Sequence, residues 1–248
     1  MNIDAAEIVQ ALMVTDIQMA CEVLKPAYNR TKGRDGYVSV EVSPGKARNT
    51  EATVKEAREL WRKINRKNLM VKIPATKEGV PAIEQCVSEG IHINVTLIFS
   101  VDRYEEVAHA FITGLERRLK DNKPIENVRS VASVFVGRVD TLVDDLLQKK
   151  IDATTDKAQV EKLHNLRGKA AVANAKIVYQ AFKEIFGSQR LKALEVRGAN
   201  LQRPLWGSTG TKNPAYGDLL YVDTLIGPHT VNTVPPQTYA AILHHGKP

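Results

Sequence analysis

Cysteine is scarce in this sequence, and its scarcity narrows the class of protein that the chain can be. Only Cys21 and Cys86 occur in 248 residues, and neither belongs to a CxxC pair. A disulfide framework and a structural zinc site are therefore not expected, and a reduced cytoplasm fits this composition. Both cysteines are expected to behave as small buried hydrophobic side chains.

Other absences exclude further classes. There is no run of 18 apolar residues, and the first ten residues lack the basic and apolar regions of a secretory signal, so neither a transmembrane helix nor export is expected. Aromatic residues make up 6% of the chain, and its net charge of +7 comes from basic residues interspersed with acidic ones. This pattern argues against nucleic acid or a membrane as partner and leaves small anionic substrates. The histidines are dispersed without an HExxH motif, so no metal and no cofactor are predicted.

Strand and helix patterns alternate along the chain. Six strands are predicted, at about 37–43, 69–74, 92–99, 129–136, 203–208 and 230–234. The helices between and around them are predicted at about 4–29, 50–65, 79–89, 102–120, 139–149, 156–165, 168–186, 217–226 and 236–245. Such alternation indicates βαβ units and a parallel sheet, and no linker divides the chain, so we predict one domain over residues 1–248.

The predicted sheet fits a barrel better than a doubly wound fold. A dinucleotide-binding fold needs a glycine fingerprint after its first strand, and no GxGxxG motif occurs. Polar residues instead occur on the strands and near their carboxyl ends, as in TIM (β/α)8 barrels. Since such a barrel has eight strands and six are visible, the predicted fold class is α/β, an incomplete TIM barrel.

A lysine interrupts one of the apolar strand patterns. Lys72 lies among Met70, Val71 and Ile73 in the segment LMVKIPAT, where a charged ammonium is costly to bury. Burial lowers the pKa of a lysine, and a neutral amine can attack a ketone to form an imine, or Schiff base. The alternative is a lysine that pairs with a carboxylate or extends past the strand end, and both interpretations stay open.

Polar residues on the neighbouring strands are candidate helpers of this lysine. Glu41, in YVSVEVSP, can move protons directly or through a water molecule, or serve as the partner ion of Lys72. Asn94 and Thr96 are two residues apart in INVTLIF and so point to the same face of one strand. On an inward face they can hold a water molecule or a substrate hydroxyl, although a threonine that merely fills a strand is common.

Two later segments suggest a phosphate-binding site. In SVFVGRVD, Ser133 and Phe135 share a strand face, and Arg138 follows the strand end, where an arginine can grip a phosphate with two hydrogen bonds. In PLWGSTGTKNPAY, the residues Ser208, Thr209 and Lys212 resemble a phosphate cradle. A surface ion pair and a plain turn are the respective alternatives.

Five segments together resemble those of the transaldolase family. They are LMVKIPAT, HINVTLIFS, SVASVFVGRVD, RPLWGSTGTKNPAY and YVDTLIGPHTVNTVPP, and the resemblance runs from about residue 4 to the C-terminus. It is strongest to the bacterial subfamily whose members are sometimes fused to phosphoglucose isomerase. The resemblance implies a cytoplasmic transferase of the pentose phosphate pathway that passes a dihydroxyacetone unit between sugar phosphates by a class I mechanism, without a metal.

The resemblance also implies roles for individual residues. Lys72 would form the Schiff base with the ketose phosphate, and Glu41 and Thr96 would position the catalytic water. Asn94 and Ser133 match positions that contact the substrate. Arg138 matches the arginine that binds the phosphate. Another branch of the family uses a second arginine near the position of Thr211, and Lys212 is our candidate for its replacement.

The sequence departs from the family at its beginning. Transaldolases carry an aspartate on the first barrel strand and an asparagine in a TTNP motif on the second, and neither segment occurs here. The segment 4–29 resembles the helix that follows the second strand, so we expect the first two βα units to be absent through a truncated gene model, a partial reading frame or a real deletion. Two alternative functions stay open: an aldolase of the same superfamily that releases free dihydroxyacetone, and an impaired fragment that serves as a scaffold. The sequence does not fix the acceptor sugar or the oligomeric state, and a homo-oligomer is compatible with it.

Overall fold

The computed structural model describes residues 5–247, apart from the side chain of Ala6. The ends of the predicted domain 1–248 and the predicted start of the first helix at residue 4 therefore lie outside the described residues. The helices are α1 (Ala5–Arg30), α2 (Thr50–Ile64), α3 (Gly79–Glu89), α4 (Val101–Lys120), α5 (Gly137–Asp152), α6 (Lys157–His164), α7 (Ala170–Phe186), α8 (Gln189–Glu195), α9 (Leu220–Leu225) and α10 (Pro236–His245). The strands are β1 (Val38–Glu41), β2 (Leu69–Pro74), β3 (Ile93–Ile98), β4 (Ser130–Phe135), β5 (Gln202–Gly207) and β6 (Val231–Asn232).

Each predicted strand is present, and pairing follows the order of the chain. The α/β fold with six strands, fewer than the eight of a complete barrel, is confirmed for the described residues. One helix was not predicted from the sequence: α8, which is seven residues long. A short 3₁₀ helix, Pro44–Lys46, also follows β1. None of the helices that the structure describes is long and apolar enough to cross a membrane.

The chain divides into two compact units. Unit 1 comprises the chain up to Thr96 together with Glu106–Val131 and Gln189–Gln202. Unit 2 comprises Leu97–Glu105, Ala132–Ser188 and the chain from Arg203 onward. The prediction of a single domain over residues 1–248 stays a prediction.

Unit 1 is built on three parallel strands. β1 pairs with β2 from Val38↔Leu69 onward, and β2 pairs with β3 from Val71↔Ile93 onward. The residues of β2 and β3 that point away from the polar face, such as Val71 and Val95, are fully buried. Helix α2 buries an apolar stripe, because apolar residues recur at helical spacing along it. Its ends are fixed locally, since Asn49 caps the amide of Ala52 and Asn65 is left-handed.

The turn between α1 and β1 depends on a glycine. Gly36 has a φ of +83°, and a Cβ at this position would lie 2.4 Å from the backbone nitrogen of Tyr28. Only glycine adopts this conformation at so close an approach without strain. The turn thereby brings the chain from α1 into β1 in the register that positions Glu41.

Unit 2 is organised around the ends of β4 and β5. The amides of Val136 and Gly137 donate to the carbonyls of Gly207 and Ser208, at 3.0 and 3.1 Å. β5 then pairs in parallel with β6, with Leu205 opposite Val231. Helix α5 begins directly after β4, so that Arg138 lies in the first turn of the helix.

Candidate functional site

Three candidate residues form one row across the strands of unit 1. Glu41 on β1 pairs in register with Lys72 on β2, and Lys72 pairs with Asn94 on β3. Register partners in a parallel sheet point to the same face, and Thr96, two residues after Asn94, points there as well. The face of unit 1 that carries these residues therefore combines an amine, a carboxylate, an amide and a hydroxyl.

Lys72 and Glu41 form an ion pair across the row. The distance from Lys72 Nζ to Glu41 Oε2 is 3.5 Å, and the two side chains are 28% and 42% exposed. The apolar neighbours of Lys72 in β2 are buried, as the sequence predicts, but the lysine itself is only partly buried. The alternative in which Lys72 pairs with a carboxylate is thus realised, and it is compatible with proton transfer between the two groups.

Asn94 is held by a serine that the sequence analysis did not single out. The amide nitrogen of Asn94 donates to Ser39 Oγ at 3.0 Å. Ser39 precedes Glu41 by two residues on β1, so both side chains lie on the same face of the strand. That period of two places Ser39 on the face of Glu41, but nothing in the sequence alone pairs Ser39 with Asn94.

Thr96 presents a buried hydroxyl group. Its side chain is fully buried, and Oγ1 has no hydrogen-bond partner among the described residues. Its backbone is fixed, because the amide of Ala75 donates to its carbonyl at 2.8 Å. A buried polar group without a partner is costly, so this hydroxyl retains its full capacity to bind a water molecule or a ligand.

The end of β1 is anchored by a second carboxylate. Glu56 on α2 is buried and accepts hydrogen bonds from the amide and the hydroxyl of Ser43. Its Oε1 also lies 3.5 Å from Lys46 Nζ. Because Ser43 follows Glu41 by two residues, Glu56 fixes the strand end that carries Glu41. No motif in the sequence linked Glu56 to this strand.

In unit 2, the end of β4 brings an arginine onto an aromatic ring. The guanidinium carbon of Arg138 lies 5.1 Å from the centroid of the Phe135 ring, within the range of a cation–π contact. Phe135 also packs edge-on against Phe99, with ring centroids 5.6 Å apart. Ser133, two residues earlier on β4, is buried. Arg138 is itself exposed, so its guanidinium is accessible to an anion.

The predicted phosphate cradle begins at the end of β5. Ser208 is left-handed, with a φ of 56°, and its carbonyl accepts from the amide of Gly137. A Cβ on Gly137 would lie 2.8 Å from that carbonyl oxygen, so the close approach requires glycine next to Arg138. Thr209 is buried and donates to Asn232 Oδ1 at 2.7 Å.

Lys212, the last candidate, lies on the wall of a cavity of about 240 Å³ in unit 2. Asp140, Asp144 and Asp145 line the same cavity, as does Arg167. An ammonium on this wall is attracted by the aspartates. The role of Lys212 in phosphate binding stays a prediction.

These features define a class of α/β protein: one with a lysine paired with a carboxylate on the face of a parallel strand. The chain belongs to the family described as Transaldolase/Fructose-6-phosphate aldolase, whose family model matches residues 2–248. The family that the sequence segments suggested is thereby confirmed.

Curated relatives agree with this family. The chain is 50% identical over 239 residues to a transaldolase of Trichodesmium erythraeum, covering 96% of this chain and 63% of the relative. It is 48% identical to transaldolase 2 of Streptomyces coelicolor, over 99% of this chain and 64% of that protein. A transaldolase of Mycobacterium bovis is 47% identical, over 99% of this chain and 63% of its own length. The chain thus spans less than two thirds of the length of these relatives.

Proposed function

We propose that this protein is a transaldolase, which transfers a dihydroxyacetone unit from a ketose phosphate to an aldose phosphate through an imine on Lys72. The observation that carries the proposal is the row Glu41–Lys72–Asn94, with the amine 3.5 Å from the carboxylate. The names of the relatives, all transaldolases, support the same activity.

The proposed chemistry assigns a task to each group in the row. The amine of Lys72 attacks the ketone, and loss of water gives a protonated imine. The hydroxyl next to the adjacent carbon–carbon bond gives its proton to Glu41 through a water molecule as that bond breaks. The aldose phosphate leaves as an aldehyde, and the electron pair of the broken bond passes into the imine to give an enamine. The enamine attacks the acceptor aldehyde, whose oxygen takes up the proton, and water then releases the new ketose from Lys72. Glu41 moves protons to and from water in these steps, and Thr96 Oγ1 and Asn94 hold the water molecule and the substrate hydroxyls.

The substrate phosphate is proposed to bind in unit 2. Arg138 supplies an exposed guanidinium group, and the contact with the ring of Phe135 orients this group. Ser208, whose carbonyl accepts a hydrogen bond from the amide of Gly137, is proposed to add a hydroxyl to this site. Ser133 is a further proposed contact on the family resemblance, and Thr209 is one as part of the predicted phosphate cradle. Lys212 is proposed as the replacement for the second arginine that another branch of the family uses.

Borohydride trapping tests the imine. The protein is incubated with fructose 6-phosphate, reduced, digested and analysed by mass spectrometry. We expect one adduct, on the peptide that contains Lys72. The variant Lys72→Gln should form none, whereas Lys77→Gln, which alters an exposed lysine just after β2, should match the wild type. A folded protein that gives no adduct, or an adduct elsewhere, contradicts the proposal.

Product analysis separates transaldolase from aldolase activity. The family description names both transaldolases and fructose-6-phosphate aldolases. With an aldose phosphate acceptor present, a transaldolase yields a new ketose phosphate, whereas an aldolase releases free dihydroxyacetone with or without acceptor. If the protein unfolds cooperatively but forms neither product, the scaffold alternative is favoured.

The proposed surroundings follow from the proposed reaction. Sugar phosphates are the partners, and the cytoplasm is the proposed compartment. Four statements stay predictions from the sequence: that the protein binds no nucleic acid, no membrane and no metal, and that it is compatible with a homo-oligomer. Activity after extensive treatment with a chelator checks the metal prediction.

A further inference from the structure

Two buried aspartates on α5 have no part in the proposed chemistry. Asp140 and Asp144 are one helical turn apart, and both are buried. Buried carboxylates are retained only where hydrogen bonds or charges satisfy them. They lie on the helix that begins with Gly137 and Arg138, close along the chain to the proposed phosphate site.

Each aspartate connects two separate segments of unit 2. Asp140 accepts from the amide of Ala171 at 2.7 Å and from the hydroxyl of Tyr221 at 2.9 Å. Asp144 accepts from the amide of Gly168 at 3.1 Å and from the hydroxyl of Tyr216 at 2.5 Å. All four carboxylate oxygens are therefore occupied, in the same pattern twice.

The two tyrosines belong to the segment that carries the proposed phosphate contacts. This segment leaves β5 at Ser208, passes Lys212 and reaches Tyr216 and Tyr221. Its first residue is fixed to α5 by the bond from the Gly137 amide to the Ser208 carbonyl. The tyrosine hydroxyls attach its other end to the same helix. The stretch 208–221 is thus attached to α5 at both ends.

We propose that the hydrogen bonds of Tyr216 and Tyr221 to Asp144 and Asp140 form a clamp that positions the segment 208–213 for binding the substrate phosphate. We assign the four residues as positioning residues, because their hydrogen bonds hold that segment and none of them is a proposed substrate contact. This inference rests on the proposed function, which places the phosphate at Ser208 and Arg138.

The chemistry of the clamp favours a permanent contact. Burial and the hydrogen bond to Asp144 raise the pKa of Tyr216 to about 12, and burial and Asp140 raise the pKa of Tyr221 as well. Both hydroxyls therefore stay protonated donors at neutral pH. The ring of Tyr216 also packs on Gly168, so a phenylalanine retains the packing and loses only the hydrogen bond.

The test compares Tyr216→Phe, Tyr221→Phe and the double variant with Tyr179→Phe. Tyr179 is a matched control in the same unit, because its hydroxyl donates to the carbonyl of Pro228 and not to the clamp. Two quantities are measured: amide hydrogen exchange over residues 208–219, and the half-saturating concentration of each ketose for trapping on Lys72. Fructose 6-phosphate and unphosphorylated dihydroxyacetone are the ketoses. Thermal unfolding verifies that each variant is folded. If the double variant does not fold, the two single variants are enough for the comparison.

We expect exchange over 208–219 to be faster in the clamp variants and unchanged in Tyr179→Phe. The half-saturating concentration should rise about tenfold for fructose 6-phosphate, which corresponds to about 1.4 kcal/mol of binding free energy. It should stay the same for dihydroxyacetone, because only fructose 6-phosphate carries a phosphate for the segment 208–213 to hold. Unchanged exchange overturns the clamp. Faster exchange with equal weakening of both ketoses overturns the positioning role and leaves a structural one.

Failure of the proposed function gives a different result. In that case the wild-type protein forms no adduct with either ketose. The clamp is then judged by exchange alone, measured with and without inorganic phosphate. Protection of residues 208–213 by phosphate in the wild type, lost in the clamp variants and kept in Tyr179→Phe, supports it. Equal protection in all of the proteins, or in none of them, overturns it.

Discussion

At the scale of single residues, the polar groups on the strand face of unit 1 that carries Lys72 differ in how fully they are hydrogen-bonded. Glu41 has an ion-pair partner and Asn94 a serine partner, whereas the buried hydroxyl of Thr96 has no partner among the described residues. If a polar group destabilises the folded state but helps to bind a substrate, its removal should lower activity without lowering stability.

Thr96→Val tests this separation. Valine keeps the shape of threonine and removes an unpaired buried hydroxyl, so we expect the free energy of unfolding to stay the same or to rise by about 1 kcal/mol. The rate of imine formation on Lys72 should fall at the same time. Urea unfolding and borohydride trapping give the two values. A loss of stability would show that the hydroxyl has a structural role.

Glu41→Gln removes the charge beside Lys72 and keeps the size of the side chain. If Glu41 transfers protons, the rate of trapping should fall roughly 100- to 10,000-fold, the range that general acid–base groups contribute. Glu51→Gln is the control, because Glu51 is an exposed residue of α2. Equal rates in Glu41→Gln and the wild type would mean that Glu41 is merely a partner ion.

Alternation along the strands made these residues predictable from the sequence. It assigns Glu41, Lys72, Asn94 and Thr96 to strand faces, and the parallel register then places the first three in one row. Alternation does not reveal how much of a face is covered, which is why the sequence left open whether Lys72 is buried or pairs with a carboxylate at a partly exposed position. Ser39 and Glu56 were missed because their partners are distant in the sequence.

At the scale of elements, the ends of helices and strands depend on a few backbone conformations. Gly36 and Gly45 both lie near β1, but only Gly36 has a positive φ and a crowded Cβ position, whereas nothing lies within 4 Å of a Cβ on Gly45. The two glycines therefore form a matched pair for mutation.

Gly36→Ala should lower the free energy of unfolding by about 2 kcal/mol or more. Alanine is strained at a positive φ, and its Cβ would also clash with the backbone of α1. Gly45→Ala should have little effect or stabilise by up to about 1 kcal/mol, because alanine restricts the unfolded chain. Chemical denaturation of both variants checks the difference. Similar values for the two would contradict the role given to the turn.

Most elements were predictable because their periodicity is long and regular. The strands at 69–74 and 130–135 lie within a residue or so of the predicted ranges, as does α3. Helix α8 was not predicted, because seven residues form a helix poorly without tertiary support. That support includes the ion pair between Arg190 on α8 and Glu116 on α4, which no local pattern reveals.

At the scale of the whole molecule, a buried histidine makes stability depend on pH. His92 lies directly before β3 in unit 1, with its ring edge-on to Tyr37 and Trp61. Burial, and secondarily the charge of Arg129, lower the pKa of His92 from 6.5 to about 4. The folded state therefore binds this proton less readily than the unfolded state.

The free energy of unfolding should fall as the pH drops from about 6.5 to about 4, because the unfolded chain then takes up a proton that the folded chain refuses. The contribution of His92 is on the order of 3 kcal/mol. In His92→Gln this part of the slope should vanish, whereas in His109→Gln, which replaces an exposed histidine, it should persist. Urea unfolding at several pH values measures the slope, and identical slopes in all three proteins would refute the assignment.

The register of β2 has a consequence for insertions and deletions. Because neighbouring residues of a strand point to opposite faces, one added codon between Leu69 and Lys72 would move the amine to the side occupied by Val71 and Ile73. The same codon added at Arg66 or Lys67, before the strand begins, would leave Lys72 opposite Glu41 and Asn94 if the loop absorbs it. Length variation among natural or engineered versions of this protein should therefore accumulate in the 65–68 loop and be absent from the six residues of β2.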